Sequence, residues 1–85
     1  MNTLAKALAR RIEFTDDTLV VDYQDGRSLH LPLEWFPRLS RASIEARSDW
    51  RLIGGGVGVH WPQLDEDLSA GGFLTMTGPL QTVAR

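Results

Sequence analysis

Cysteine is absent from this 85-residue chain, which excludes a disulfide framework and thiol catalysis. No apolar run reaches the length of about 18 residues that a membrane-spanning helix needs, and no signal-peptide pattern is present. Cations are also scarce, since nine lysines and arginines face eleven acids, so there is no global attraction to nucleic acid. We therefore expect a cytoplasmic protein without membrane attachment or direct nucleic-acid contact.

The apolar content fits one ordinary globular domain, because 42% of the residues are hydrophobic and a chain of this length builds a single core. Its stability should be on the order of 4–13 kcal/mol, so the loss of one large buried side chain threatens the fold. We expect the domain over residues 11–75. Residues 1–10 form an N-terminal arm with helical spacing, and residues 76–85 form a C-terminal tail.

Three stretches in the first half alternate apolar and polar residues, the pattern of half-buried strands. Two turns separate them, and Asp25-Gly26 in the second suits the positive φ of a tight hairpin. Pro32 ends the third strand because it has no N–H for the ladder. We predict an antiparallel three-stranded meander, and its inward-facing residues are Ile12, Phe14, Leu19, Val21, Tyr23, Leu29, Leu31 and Leu33.

Two further short strands are predicted in the second half, at Arg51–Ile53 and Val57–Trp61. Ser43 is a suitable N-cap for a helix that ends at Trp50, and Ser69 is one for a last helical turn. The predicted fold class is therefore α+β: an antiparallel three-stranded meander plus two further short strands, covered by short helices.

Residues 54–67 contain half of the eight glycines and three consecutive acids, and they are the candidate site. The glycines do not form a nucleotide motif. A dinucleotide fingerprint that starts at Gly54 needs glycine where Val59 stands, and the Gly-Lys-Ser/Thr of a P-loop is missing. A turn between strands is the simpler interpretation, and a nest of backbone amides that binds an anion is the alternative.

The acids at positions 65–67 do not form a calcium loop, because Ala70 stands where that loop needs glycine and Met76 where it needs glutamate. A transition-metal site that combines them with His60 is an alternative. Solvated acids ahead of a helix start explain the same residues more simply. We therefore predict no metal site and no cofactor.

Neither histidine has an evident nucleophile, and no serine lies in a Gly-x-Ser-x-Gly context. We therefore expect neither an enzyme nor a small-molecule substrate. A surface for a ligand or partner is the working hypothesis, and its candidate residues are Arg27, His30, Gly55, Gly56, Gly58, His60, Asp65, Glu66 and Asp67.

Several segments carry a family likeness in their order and spacing: Asp25–Arg27, Pro32–Leu39, Glu45–Arg47 before Trp50, Leu52–Pro62 and Leu64–Ser69. Together they resemble the bacterial family known as domain of unknown function 2442, over residues 11–74. The resemblance implies a small α+β domain that occurs alone or ahead of a helix-turn-helix segment. It also implies a gene often paired with that of another small protein, as in toxin–antitoxin pairs. This chain lacks the helix-turn-helix, which weakens a direct DNA-binding role.

The resemblance favours a non-catalytic protein-interaction module, an antitoxin-like or regulatory partner of a neighbouring small protein. The alternatives are a domain that binds a small ligand, anion or metal through Gly54–Asp67, and a DNA-associated regulator. Twenty large apolar side chains exceed what this small sheet and its short helices can cover. We therefore expect an exposed apolar patch, and with it a homodimer or a hetero-complex. Trp61 should be buried and the acids that follow it exposed.

Overall fold

The computed structural model describes residues 7–80, which form two three-stranded antiparallel sheets and a few short helices. The strands of the first sheet, in the order β1-β2-β3, are Ala9–Phe14, Thr18–Tyr23 and Ser28–Pro32. The strands of the second, in the order β4-β5-β6, are Arg51–Ile53, Gly58–Trp61 and Glu66–Ser69. The helical elements are a 3-10 turn at Leu33–Trp35 and the helices α1 (Pro37–Ser40), α2 (Ile44–Ser48) and α3 (Ala70–Thr75).

The first sheet is the predicted meander, and the α+β fold class is confirmed. Leu19, Val21 and Tyr23 share one face of the central strand β2 and are at most 1% exposed. Val21 lies opposite Ile12 on β1 and Leu29 on β3, so an apolar row crosses the sheet. Period-2 alternation thus produces one buried face, as the sequence pattern indicated.

The second sheet has one strand more than predicted, because residues 66–69 form β6. Asp65 has a positive φ of 51°, which helps to reverse the chain after β5. β6 then pairs antiparallel with β5 and places Leu68 opposite Val59. Two of its four residues are acids, so its sequence lacks the apolar alternation by which the other strands are recognised.

Serine caps begin the two helices for which they were predicted. The Ser43 hydroxyl accepts a hydrogen bond from the Ala46 N–H at 3.0 Å, and the Ser69 hydroxyl accepts one from the Gly72 N–H at 2.8 Å. Helix α2 ends at Ser48, two residues before its predicted end. Within residues 7–80, no helix is long and apolar enough to cross a membrane.

The core combines residues of both sheets with residues of the short helices. Trp61 is 0% exposed, as predicted, and its Nε1–H donates to the Arg47 carbonyl at 2.9 Å. The rings of Phe36 and Phe73 meet edge to face with centroids 5.9 Å apart. The buried cluster consists of Ala9, Ile12, Leu19, Val21, Tyr23, Leu31, Leu33, Phe36, Leu39, Val59, Trp61, Ala70 and Phe73.

The two sheets are joined at the loop between β4 and β5. The Ala9 N–H, at the start of β1, donates to the Gly56 carbonyl at 2.7 Å. The Gln24 side chain, at the end of β2, donates to the Gly55 carbonyl at 2.9 Å. Both bonds run from the first sheet to the glycine loop, which therefore sets how the sheets lie against each other. We call this set of contacts the sheet junction.

The ends of the described chain also contact the domain. Of the predicted arm over residues 1–10, residues 1–6 lie outside the described part, and Ala9 and Arg10 belong to β1. Of the predicted tail over residues 76–85, the described part reaches Leu80. The Leu80 N–H donates to the Trp35 carbonyl at 2.8 Å, and the Leu80 side chain packs against the core.

Replacement of Trp61 tests the core. Trp61→Ala should lower the free energy of unfolding by about 3–5 kcal/mol, because it empties the site of a large, fully buried side chain. Trp61→Phe should cost less, since it keeps an aromatic ring and loses the hydrogen bond to Arg47. Urea unfolding followed by circular dichroism measures both losses. A melting temperature of Trp61→Ala within about 2 °C of the parent would contradict the burial.

Alanine substitutions in the glycine loop test the sheet junction. Gly55 and Gly56 have φ values of 73° and 116°, which cost a residue with a Cβ roughly 1–2 kcal/mol. At Gly56 the new Cβ would also collide with the Ala9 backbone, whereas at Gly55 it meets nothing within 4 Å. Gly56→Ala should therefore destabilise the protein clearly more than Gly55→Ala in denaturant unfolding. Equal losses would show that the junction does not depend on this close approach.

Because the single tyrosine is buried, we expect the protein to lose stability at alkaline pH. Burial raises the pKa of Tyr23 from 10.0 to about 12, while the nearby Arg27 charge lowers it. Below pH 10 the hydroxyl is neutral in both states, and it donates to the Ala70 carbonyl at 2.7 Å in the folded state. Between pH 10 and pH 12 the unfolded chain ionises first, so stability should fall by on the order of 2 kcal/mol. Urea unfolding against pH measures this fall, and a profile unchanged in Tyr23→Phe would contradict it.

Candidate functional site

The loop between β4 and β5 is a turn whose carbonyls face the first sheet. Residues 54–56 have φ values of 58°, 73° and 116°, a run that glycine adopts without steric cost. The Gly56 N–H donates to the Ile53 carbonyl at 3.0 Å, which closes the turn. The carbonyls of Gly55 and Gly56 accept the two bonds of the sheet junction. The loop therefore forms the predicted connection between strands, and the Gly56 amide is committed to that turn.

Gly58 leaves a position without a side chain on the second sheet, beside this loop. It is buried on β5, and a Cβ added there would lie 3.3 Å from the Leu68 carbonyl oxygen. The Ile53 side chain of β4 lies over the same position, with its Cδ1 3.7 Å away. The missing side chain thus lets Ile53 rest on the sheet while remaining 42% exposed.

The structure brings His60 and Asp67 together on the outer face of the second sheet. They are opposite each other on β5 and β6, and the His60 Nδ1 is hydrogen-bonded to the Asp67 Oδ1. Arg51 on β4 lies opposite His60 on the other side, so one row across three strands carries a cation, an imidazole and a carboxylate. Their side chains are 69%, 35% and 69% exposed in that order. The row is a partly exposed polar surface held in place by strand pairing, and Arg51 also lies 3.7 Å from Asp49.

The acids beside Asp67 have different environments. Asp65 is exposed, and its carbonyl accepts a weak hydrogen bond from the Arg38 guanidinium at 3.5 Å. Glu66 is half-buried and lies 3.9 Å from Arg38. Burial raises the pKa of Glu66, and the Arg38 charge partly offsets this effect. The expected exposure of the acids thus holds for Asp65 and Asp67 and is only partial for Glu66.

Two of the candidate residues lie on the first sheet. Arg27 is in the β2–β3 turn, where it is paired with Asp25 at 2.7 Å and lies over the Tyr23 ring with its Cζ 5.7 Å from the centroid. His30 is exposed on β3, opposite Val20 of β2. Neither has a hydrogen bond or ion pair with the acids of β6. The predicted residues therefore form separate small groups.

These groups offer limited chemistry. Between residues 7 and 80, no three His, Asp or Glu side chains converge as a metal site would require. The bond to Asp67 engages Nδ1 of His60, so that Nε2 is the ring nitrogen left for a hydrogen bond with a ligand. In the same range no serine or threonine hydroxyl is hydrogen-bonded to His60, and the nearby Ser69 hydroxyl serves as a helix cap.

The sequence did not predict the roles of three side chains that contact the candidate site. Gln24 bonds the glycine loop, Arg38 reaches the β5–β6 turn, and Arg51 completes the row with His60. A signal was available only for Arg51, since pairing the two short strands in antiparallel register places it beside His60. The roles of Gln24 and Arg38 depend on contacts between distant parts of the chain.

The expected exposed apolar side chains are present within residues 7–80. Ile44 on α2 is 73% exposed, Val57 53%, Ile53 42% and Leu52 37%. Three of these belong to the β4–β5 hairpin, and Gly54 is so close to Val57 that a Cβ there would lie 2.8 Å from its Cγ2. We call Leu52, Ile53 and Val57 the hairpin patch.

The comparisons with known proteins agree with this fold. A family model described as "Protein of unknown function (DUF2442)" matches residues 9–76. No curated protein matches the chain. A crystal structure of a protein of unknown function from Rhodospirillum rubrum ATCC 11170, at 2.75 Å resolution, is similar with a TM-score of 0.68 and 27% identity. The match covers 80% of this chain and 84% of that chain. The family model covers most of the residues described above, and the chain therefore belongs to the DUF2442 family.

Proposed function

We propose that this chain is a non-catalytic protein-interaction module that binds a partner protein through the β4–β5 hairpin. The observation that carries the proposal is the hairpin patch, three apolar side chains of one short hairpin that are between 37% and 53% exposed, with Leu52 on the face of Val59 and Ile53 on the face of Gly58. Exposed apolar side chains in a cluster are typical of interaction sites rather than of solvated surface.

The position of β4 adds a second reason. It is an edge strand of its sheet, so one side of its backbone has no partner strand within that sheet, and β1 of the first sheet lies close to it. All three of its residues are exposed. Edge strands of this kind pair with an extended segment of another protein, whose main chain supplies hydrogen bonds while alternate side chains supply specificity. The hairpin patch then provides the apolar contact beside the new strand.

The polar row next to the patch supports selectivity. Arg51 is at the edge, and His60 and Asp67 continue the row on the outer face. The hydrogen bond between His60 and Asp67 orders the pair before a partner arrives, which reduces the entropy lost on binding. A partner with matching polar groups would add hydrogen bonds to this row, in which His60 is already bonded to Asp67 and Arg51 is paired with Asp49.

For the partner, we propose a small protein encoded nearby, with this chain as the antitoxin-like or regulatory half. Family resemblance supports this choice, since members are often encoded beside another small protein. A second copy of the chain is the competing partner.

Charge placed on the patch tests the proposal. The complex is purified from its native cells through a tag on this chain. Ile53→Lys/Val57→Lys should abolish it, because lysine on an edge strand discourages pairing with another strand and because burying its charge in an interface is unfavourable. The partner is identified by mass spectrometry, and the complex is then rebuilt from purified proteins. Thr77→Lys/Pro79→Lys adds the same two cations at exposed sites outside the hairpin and should leave the complex intact.

Two results would contradict the proposal. One is a complex that survives the double lysine variant while thermal unfolding shows the variant folded. The other is a monomer by sedimentation equilibrium, over a wide concentration range, that retains no partner from its native lysate.

A further inference from the structure

A second surface, independent of the hairpin, lies beside helix α2. Two adjoining clefts of about 400 Å³ each open there and share the residues Asp16 and Arg47. One is bounded by β1 and α2, and the other lies between the β1–β2 turn and the 3-10 turn. We call the pair the α2 groove.

The apolar part of the α2 groove is unusually exposed. Ile44 at the first position of α2 is 73% exposed, the largest value among the large apolar side chains of residues 7–80. Phe14 and Trp50 line the same cleft and are only half-buried. A polar residue would serve the solvated first turn of a short helix equally well, so the helix itself does not explain an isoleucine here. A contact with another molecule would explain it.

The rim of the α2 groove is acidic. Four carboxylates line the two clefts, from Glu13, Asp16, Asp17 and Glu34, against the single guanidinium of Arg47. Glu13 is paired with an arginine at 2.6 Å, but within residues 7–80 the other three carboxylates have no ion-pair partner. Such a rim attracts cations and repels acidic segments.

Arg47 offsets only part of this charge, because its one guanidinium faces three carboxylates that have no ion-pair partner within residues 7–80. It lies over the Phe14 ring, 5.6 Å from the centroid, and donates to the Leu39 carbonyl at 3.4 Å. These contacts hold the cation against the floor of the groove. The carboxylates therefore dominate the charge that an approaching molecule meets.

We propose that the α2 groove binds a peptide segment that carries large apolar side chains flanked by lysine or arginine. The apolar side chains cover Ile44 and enter the cleft beside Phe14, and the basic residues lie opposite the carboxylates of Asp16 and Glu34. Neither charge nor apolar contact alone matches the surface. The combination selects a basic, amphipathic segment of a partner protein.

Three short peptides test both requirements. The probe is acetyl-Lys-Lys-Phe-Leu-Leu-Lys-Lys-amide, and the two controls replace its lysines by glutamate or its Phe-Leu-Leu by three serines. Binding is measured by ¹H–¹⁵N correlation spectra during titration. The probe should shift the amides of residues 12–16 and 44–50, with an affinity that falls as salt is added. The affinity of each control peptide should be at least about tenfold lower than that of the probe.

Variants of the protein locate the site. Ile44→Glu should weaken probe binding by about tenfold or more and still fold, since an acid in the first turn of a helix is favourable. Asp16→Asn/Glu34→Gln should also weaken it, whereas Asp25→Asn/Asp65→Asn removes two carboxylates outside the groove and should not. The proposal is overturned if the probe does not bind below about 1 mM. It is equally overturned if the serine peptide binds as well as the probe, or if folded Ile44→Glu retains full affinity.

Discussion

The hydrogen bond from the Ala9 N–H to the Gly56 carbonyl is the contact on which the arrangement of the two sheets depends. Each sheet has three short strands, and a sheet of this size needs a packed face to be stable. The two sheets can approach each other at Gly56 because this residue has no Cβ, since the Ala9 backbone occupies the space where a side chain would begin. The glycine loop therefore has a structural role in the contact between the sheets. Gly56 is required by the close approach of β1, and Gly54 and Gly55 have positive φ values that glycine adopts without steric cost.

Some apolar side chains stay exposed because the chain is short and its helices are needed for the core. The short helices and the described segment up to Leu80 close the core around Trp61, Phe36 and Phe73. Within residues 7–80 the side chains of the hairpin patch and of Ile44 remain between 37% and 73% exposed. The two apolar surfaces lie on different elements, one on an edge strand and one on a helix beside acids. They suit an extended strand and a basic segment respectively, and thus different features of a partner.

Most of the fold was predictable where local chemistry decides it. Alternation identified the strands of the first sheet, and serine caps identified two helix starts. Strand β6 was missed because Glu66 and Asp67 read as solvated acids, and only pairing with β5 makes them part of a sheet. That pairing also created the bond between His60 and Asp67. Sequence reasoning named both residues, but it could not show that they meet.

Strand geometry also restricts how this surface can vary between relatives. On β5, Val59 and Trp61 point into the core, so only the positions of Gly58 and His60 face outward. A Cβ at position 58 would lie 3.3 Å from the Leu68 carbonyl oxygen, so a larger residue there requires that carbonyl to shift. Substitutions that preserve the fold are therefore expected mainly on β4 and in the loop, at Ile53 and Val57, whose side chains are exposed. Such substitutions would alter the proposed partner surface while the glycine loop and the buried tryptophan keep the sheets in place.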